Sequence, residues 1–545
     1  MKRFYPIFIY IYIFIILIIG VFTYQDYGIG IEEHFQRKSG FYWLNYILNF
    51  TNFDTLKESA YLKLEEIKIF TPRLFPIEKV PFYGVLFDVP LAFLEILFKI
   101  DDPQDYFYAR HIAIFIIFLI SAFCFYKIIE IRFKNLIISL FGFTVFLFSP
   151  RIYGNIFFDG KDIFFLSIIT LNIFFLIKYL KKKNNLNLII FSIFCAFSTS
   201  SRIIGILIPL SFLVILFLEF LPKNQFKIFL KKISIFIFVF FITLLSHWPY
   251  LWTLDINQLE NFFQPFFFAM NPTVYFNGNF YQSKFLPISY IPLWITITTP
   301  LYVLSFFLFG IFQNIRRIFL RLISIDNEQT IVTSDFWRSD GEKFDLFIFV
   351  IFLSVTLLYL SINTALLSGW RHFYFLNFFI VFYSCYFTNY IILNYRKNNF
   401  KKFFFIILFF ISFITVYDIY KYHPFQSVYF NKFVSDKFKR NFEIDTISIS
   451  RVHALNELLK EQGILNIGTA SWTPLEDARS LIKKQEWSRL NFVGRDFKNA
   501  DYIYTNFYYE VNTNYNDKYL IPENFSLYKT LSIDGTRIYS IFKKQ

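Results

Sequence analysis

The sequence predicts a polytopic α-helical membrane protein that ends in a small α/β domain. Three observations carry that prediction. The chain of 545 residues is 56% apolar and 17% charged, with mean hydropathy +0.45, whereas soluble domains run near 45–50% apolar and about 25% charged. Uncharged stretches of about 17–20 residues, the length that crosses a hydrocarbon core, recur through residues 1–418. From about residue 419 ordinary polarity returns. These features exclude a soluble enzyme, a disordered scaffold and a nucleic-acid-binding domain. The net charge of +14 sits in loops, where Lys and Arg mark cytoplasmic sides and meet anionic lipid, so membrane lipids are expected as partners and nucleic acid is not.

The first apolar run, Phe4 to Phe22, follows Met1-Lys2-Arg3. It is longer than a cleavable signal core and leads into no small-residue cleavage site, so it reads as an uncleaved span with a cytoplasmic N-terminus. Ten further spans are expected at about 110–128, 135–149, 163–180, 186–199, 203–221, 233–249, 291–311, 345–362, 372–392 and 403–418, making eleven. Their loops alternate. Lys127, Arg132 and Lys134, then Lys181 to Lys183, Lys223 to Lys232, Arg316 to Arg321 and Arg396 to Lys402 mark one side as cytoplasmic by the positive-inside rule. The other loops, 150–162, 200–202, 250–290 and 363–371, are poor in Lys and Arg and face outward. The 186–221 stretch has basic flanks on both sides, so it must be a hairpin, turning at Ser198 to Arg202, with a short first helix.

Residues 23–109 form a long outer loop. Within it, Pro81 to Ile100 is apolar but carries Asp88 and Pro90, and reads as a segment lying in the interface rather than a span. The transmembrane domain thus covers 1–418, and 419–545 form a soluble α/β domain on the outer side. There, Ile449 to Gly463 reads as a helix, Ile464 to Gly468 and Tyr502 to Tyr504 as strands, and Phe525 to Phe542 as a hairpin around Asp534-Gly535.

The 83 Phe residues, against 2 Met, read as lipid-facing filler of a biased composition rather than as a binding box. Cys124, Cys195 and Cys385 all lie in apolar stretches and offer neither a disulfide framework nor metal spacing. No metal and no cofactor are expected.

Five polar patches could carry chemistry. Asp26 to Arg37 holds Glu32 and Glu33 beside His34, a possible acid/base group, although adjacent carboxylates in a loop are ordinarily just solvated. Ser149 to Asp162 holds Arg151, Asp159, Lys161 and Asp162, and could equally be a charged turn ending two helices. Arg202 stands alone in the hairpin turn. Ser368-Gly369-Trp370-Arg371-His372 opens a span; an Arg there suits a lipid phosphate, which its planar fork binds bidentately, or snorkels to headgroups. Ser246 to Trp252 contains His247 in what could be an aromatic belt. All five fall on the outer side, and together they suit a substrate linked to a lipid phosphate.

These pieces resemble the integral-membrane GT-C glycosyltransferases, specifically bacterial relatives of glycosyltransferase family 39, which includes protein mannosyltransferases and aminoarabinose transferases. Asp26-Tyr27-Gly28-Ile29 with Glu32-Glu33 and Gln36-Arg37 resembles the pattern D-x-G-I-x-x-D-E-x-x-Q-R. Ser149 to Gly154 with Lys161-Asp162 is similar to S-P-R-x-x-G followed by N-P-K-D. Arg202 with Gly205, Trp248 to Trp252, Pro287 with Pro292 and Thr299-Pro300, Gly369 to His372, and His423 to Gln426 with Tyr429 to Asn431 follow in family order. Three positions depart from the pattern: Glu32 for the usual Asp, Asp159 for Asn, and Ser368 where an Asp is usual.

The resemblance implies transfer of a sugar from a polyprenyl-phosphate donor to an acceptor hydroxyl outside the membrane, by single displacement with inversion. Glu32 would be the general base, with Glu33 second and Asp162 ordering the site or sharing the proton. Arg202, Arg371, His372 and Lys161 would hold the donor phosphate, and Asp26, Arg151, Asp159 and His247 would support them. The acceptor would be a glycolipid, a polysaccharide or a protein, and the expected location is a bacterial plasma membrane with the C-terminal domain outside. The competing readings are a lipid-linked sugar flippase and a non-catalytic relative that binds polyprenyl lipid.

Overall fold

A computed structural model describes residues 5–71, 76–77, 80, 82–220, 225–253, 271–323, 337–361, 365–395, 397–509 and 517–545. Among these, nine helices are long and apolar enough to cross a membrane, and two shorter apolar helices, Leu136–Leu147 and Asn185–Ser201, complete the eleven expected segments. The protein is an integral membrane protein whose bundle presents apolar side chains outward, such as Phe8, Phe238, Phe309 and Phe409. On a body meant for water such a surface would be an aggregation hazard.

Helix α1 (Tyr5–Thr23) is followed by the first loop, which is largely helical: α2 (Glu33–Leu48), α3 (Asp54–Phe70) and α4 (Asp88–Leu97). Helix α4 has 10 residues, about 15 Å at 1.5 Å per residue, and cannot span. It packs on α2, where a Cβ on Gly40 would meet the Asp88 carbonyl oxygen at 2.5 Å. Helix α5 (Pro103–Phe133) runs the full depth and ends at Lys134, in the left-handed conformation. Then come α6 (Leu136–Leu147), α7 (Pro150–Tyr153), α8 (Asp162–Lys181), α9 (Asn185–Ser201), α10 (Leu207–Phe220) and α11 (Phe226–His247). The expected hairpin is present as α9 and α10, which end at Phe220, and it turns at Arg202; residue 221 lies outside the described residues.

The expected span at 291–311 is broken. Helix α12 (Tyr290–Thr298) stops before Pro300, and α13 (Leu301–Ile323) is the membrane-length helix. Proline lacks the N–H that would continue the ladder and disfavours helix at the residue before it. The carbonyls freed at the break are taken by Asn431, whose Nδ2 donates to Thr296 O (2.6 Å) and Thr299 O (3.1 Å). Helices α14 (Asp340–Ser361), α15 (Leu376–Asn394) and α16 (Asn398–Tyr422) finish the bundle.

The loops expected on the cytoplasmic side share one end. Arg132 and Arg317 both bind Asp345, and Lys183 and Lys343 both bind Glu219. The five polar patches gather at the other end, called here the site end.

The C-terminal domain stands on the site end. Its sheet has the order β4-β3-β5-β7-β6, parallel among β3 (Leu465–Thr469), β4 (Leu490–Gly494) and β5 (Tyr502–Thr505), antiparallel where β7 (Thr536–Lys544) meets β5 and β6 (Phe525–Ile533). The β6–β7 turn has Asp534 and Gly535 at φ 52° and 72°, the positive pair that a type I′ hairpin requires. A second hairpin, β1 (Thr273–Phe276) with β2 (Asn279–Gln282), was read from sequence only as an outward loop.

This domain is clamped to the first loop. Ile31 N donates to Ile447 O (3.1 Å), and Arg451 Nη2 to Ile29 O (3.2 Å). A Cβ on Gly28 would lie 2.1 Å from Ile449 O. The glycine of the first-loop pattern therefore serves a close backbone approach between two distant parts of the chain.

Candidate active site at one end of the bundle

Four remote segments bring five charged groups together: Glu32, Lys161 with Asp162, Arg202 and Arg371. Arg371 Nη2 donates to Glu32 Oε1 at 2.5 Å, and its Nε lies 3.2 Å from Asp162 Oδ2. Arg202 contacts Asp162 from the other side. Lys161 Nζ is 3.8 Å from Glu32 Oε2 and stands 3.4 Å above the Tyr83 ring.

Each group is aimed by its own local structure. Glu32 precedes α2 without capping it by its side chain, which leaves the carboxylate free to reach Arg371. Asp159 Oδ1 accepts from the backbone N–H groups of Lys161 (3.1 Å) and Asp162 (2.8 Å), so it builds the turn that starts α8. Asp162 then opens α8, where the helix dipole favours a carboxylate. Arg202 caps α9 in extended conformation at φ −150°. Arg371 follows two consecutive left-handed residues, Ser368 (φ 59°) and Gly369 (φ 68°). That turn is pinned by Tyr290 Oη, which accepts from Gly369 N (3.1 Å), and by Trp370 Nε1 donating to Thr298 Oγ1 (2.9 Å).

The electrostatics are strongly polarised. Burial alone would push the Glu32 carboxyl up, but the charges of Arg371 and Lys161 outweigh it and hold the group well below the usual carboxylate range. Burial, with Arg202 and Arg371 beside it, drives His372 far down, so this ring is neutral and can offer an N–H but no charge. Burial raises Asp159 to about 6, against the pull of Arg371. Arg202 Nε and Nη2 and Arg371 Nε are buried and make no hydrogen bond of good geometry. Two of these donors, Arg202 Nη2 and Arg371 Nε, are in ion-pair contact with Asp162, whereas Arg202 Nε has no partner among the described residues, and a buried charged donor of that kind is what a bound anion satisfies.

The remaining expected residues are elsewhere. Glu33 is 3% exposed. It binds His111 Nε2 (3.0 Å) and accepts from Gly30 N (2.7 Å), so it holds the first loop together instead of facing Arg371. Asp26 pairs with His423 at 2.9 Å on the surface. Arg151 stacks over the Trp294 ring at 4.6 Å, beneath Gly369. His247 hydrogen-bonds Ser200 Oγ at 2.7 Å, next to the Arg202 turn. Sequence reasoning did not single out Tyr83, the platform under Lys161, or Tyr508, which comes close to Ser368 from the C-terminal domain. Aromatic abundance hid both. Among the described residues no group of three His, Cys, Asp or Glu is placed to hold a metal. A water-sized cavity of 30 Å³, lined by Tyr83, Gly84, Asp88, Gly160, Lys161 and Ser201 among others, adjoins the cluster.

No family model matches the sequence, and no curated protein matches it either. Solved structures do. The chain is similar to ArnT from Cupriavidus metallidurans. The crystal structure of that protein bound to undecaprenyl phosphate superposes with TM-score 0.37 at 11% identity, covering 84% of this chain and 88% of that one. Its apo structure superposes with TM-score 0.41 at 10% identity and the same coverage.

Proposed function

We propose that this protein is a membrane glycosyltransferase that moves a sugar from a polyprenyl-phosphate donor to an acceptor hydroxyl at the outward-facing site end. One observation supports this above the others. Arg202 and Arg371 converge from two separate turns on Asp162, Arg202 Nε is buried without a partner among the described residues, and a partly exposed carboxylate, Glu32, stands beside them. The first need of the reaction is an anion cradle and the second a base. The motif order in the sequence adds the donor class by resemblance.

The chemistry follows from those positions. The donor phosphodiester takes guanidinium N–H bonds from Arg202 and Arg371, with Lys161 adding charge. Glu32 accepts the proton of the acceptor hydroxyl as its oxygen attacks the anomeric carbon from the face opposite the phosphate. The bond from that carbon to the phosphate oxygen breaks, and the polyprenyl phosphate leaves with the electron pair and one more negative charge. Arg202 and Arg371 stabilise that growing charge, so their effect is larger in the transition state than in the ground state. Inversion at the anomeric carbon results.

Glu32 is a weak base while Arg371 holds it, because a carboxylate with a depressed pKa has little appetite for a proton. A donor phosphate that draws Arg371 toward itself relieves Glu32 and makes it a better base. Base strength is thereby coupled to donor occupancy. Asp162 keeps both arginines oriented, Asp159 fixes the turn that carries Asp162, and Glu33 with His111 fixes the loop that carries Glu32.

The test is transfer in membranes enriched in the protein, with a panel of labelled polyprenyl-phosphate sugars. Label passing into a new product is the expected result. Folded protein that binds polyprenyl phosphate but transfers no sugar from any donor would favour the flippase or the lipid-binding reading.

A further inference from the structure

A sizeable cavity lies away from the charged cluster. It has a volume of 790 Å³ and opens between the β1–β2 hairpin, residues 436–444 and the β6–β7 turn of the C-terminal sheet. The hairpin is docked there deliberately: Gly278 N donates to Asn441 O (3.0 Å), and Tyr275 N donates to Glu443 Oε1 (2.9 Å). The space is of the size that takes a ligand of two or three sugar rings.

Its lining combines two chemistries. Tyr275, Phe280, Phe507 and Tyr509 supply aromatic surface, which suits the apolar C–H faces of sugar rings. The charged lining is uneven. Lys439 is spent on Asp436 (2.9 Å) and on the Asp534 carbonyl. Arg440 makes no ion pair with a described residue, and Arg537 stacks over the Phe507 ring at 3.8 Å. These two guanidinium groups are close enough to act on each other. Glu443 does not compensate them, because burial pushes its carboxyl up to about 8 and it is mostly protonated at neutral pH.

Two buried oxygens of the lining residues also lack any partner: Glu443 Oε2 and Thr536 Oγ1, on side chains 3% and 2% exposed. Buried polar atoms in native proteins are normally satisfied. Both belong to residues that line the cavity, although the two oxygens themselves have almost no accessible surface. Tyr508, between lining residues Phe507 and Tyr509, lies close to Ser368, three positions before Arg371, so the cavity and the cluster are neighbours.

We propose that this cavity binds an acidic saccharide, the part of the acceptor that lies beyond the reacting hydroxyl, held by Arg440 and Arg537 through its anionic group and by the aromatic walls through its rings. Its role as an acceptor subsite rests on the transfer reading; binding of the saccharide does not. The cavity therefore selects the acceptor and the charged cluster performs the transfer.

The experiment uses the full chain in detergent or nanodiscs, with two charged probes and their neutral parents. Trigalacturonate and its methyl ester test a carboxylate; a phosphorylated mannotriose and mannotriose test a phosphate. At least one charged probe should bind about tenfold or more tighter than its parent, and Arg440→Ser with Arg537→Ser should remove that preference, as loss of charge-assisted bonds predicts. Both substitutions are at the surface, so folding is retained, and binding of polyprenyl phosphate by the same double variant, expected unchanged, verifies it. Equal binding of charged and neutral probes, no binding of either charged probe, or an unaffected double variant would overturn the proposal. An acidic peptide of equal charge that binds as tightly as trigalacturonate would overturn the sugar assignment. Saccharide binding without sugar transfer from any donor would leave the cavity standing and remove the enzyme reading instead.

Discussion

The two ends of the bundle use the same residue types to opposite effect. At the end expected in the cytoplasm, Asp345 is fully buried and accepts from Arg132 Nε (2.6 Å), Arg132 Nη2 (2.5 Å) and Arg317 Nη1 (2.6 Å). Every bond is short and directed. At the site end, Asp162 is just as buried and also lies between two arginines, yet its contacts with Arg202 Nη2 and Arg371 Nε are not directed hydrogen bonds, and Arg202 Nε has no partner among the described residues. Nearby Glu32 keeps 30% of its side-chain surface exposed. A satisfied buried ion pair fixes helices. An under-satisfied one of the same composition stores binding capacity for an anion.

Substitutions sharpen that contrast, the largest effect coming from the structural end. Asp345→Asn leaves Arg132 and Arg317 without their shared counter-charge, and should cost about 3 kcal/mol of stability, as breaking a buried pair does. Thermal melts followed by intrinsic fluorescence check this. A smaller loss there than in Asp162→Asn would break the comparison. Arg371→Lys keeps the charge and removes the planar fork that spans Glu32 and Asp162. Polyprenyl phosphate affinity should fall about tenfold with little change in melting temperature, as read by titration of the lipid.

The smallest effect is on acid stability. The pKa of Glu32 is depressed in the folded protein, so its contribution is complete above the unfolded value of about 4.3 and is lost as pH falls below that toward the folded value. Melting temperatures of wild type and Glu32→Gln should therefore run parallel from neutrality to about pH 5 and converge below about pH 4. Parallel curves throughout would show that Glu32 is not held by Arg371 in solution.

Hydropathy and loop charge were enough to locate the eleven apolar segments, because both signals are local and large. The hairpin at Asp534-Gly535 was legible for the same reason. The break at Pro300 was not read, although the proline marks it, because apolarity continues across it and the Asn431 side chain that seals it comes from more than a hundred residues away. The β1–β2 hairpin turns at Asn277-Gly278, with φ 51° and 81°, a strong local signal that the surrounding aromatic composition concealed. In the site, sequence named the charged residues, and the resemblance ranked Glu32 before Glu33 as the base, but the residues themselves gave no physical reason for that order. Glu32 stands just before α2 and points to Arg371, 339 positions away; Glu33 starts the helix and folds back onto Gly30 and His111. Only tertiary structure separates two adjacent carboxylates.

The most direct test of the account compares wild type with Glu32→Gln in sugar transfer from the active polyprenyl-phosphate donor, with donor binding measured on the same preparations. Gln keeps the shape and removes the base, so transfer should fall about a thousandfold, within the range of general-base catalysis, while donor binding persists. Transfer at the wild-type rate in Glu32→Gln would contradict the assignment of Glu32 as the base and with it the role given to the charged cluster.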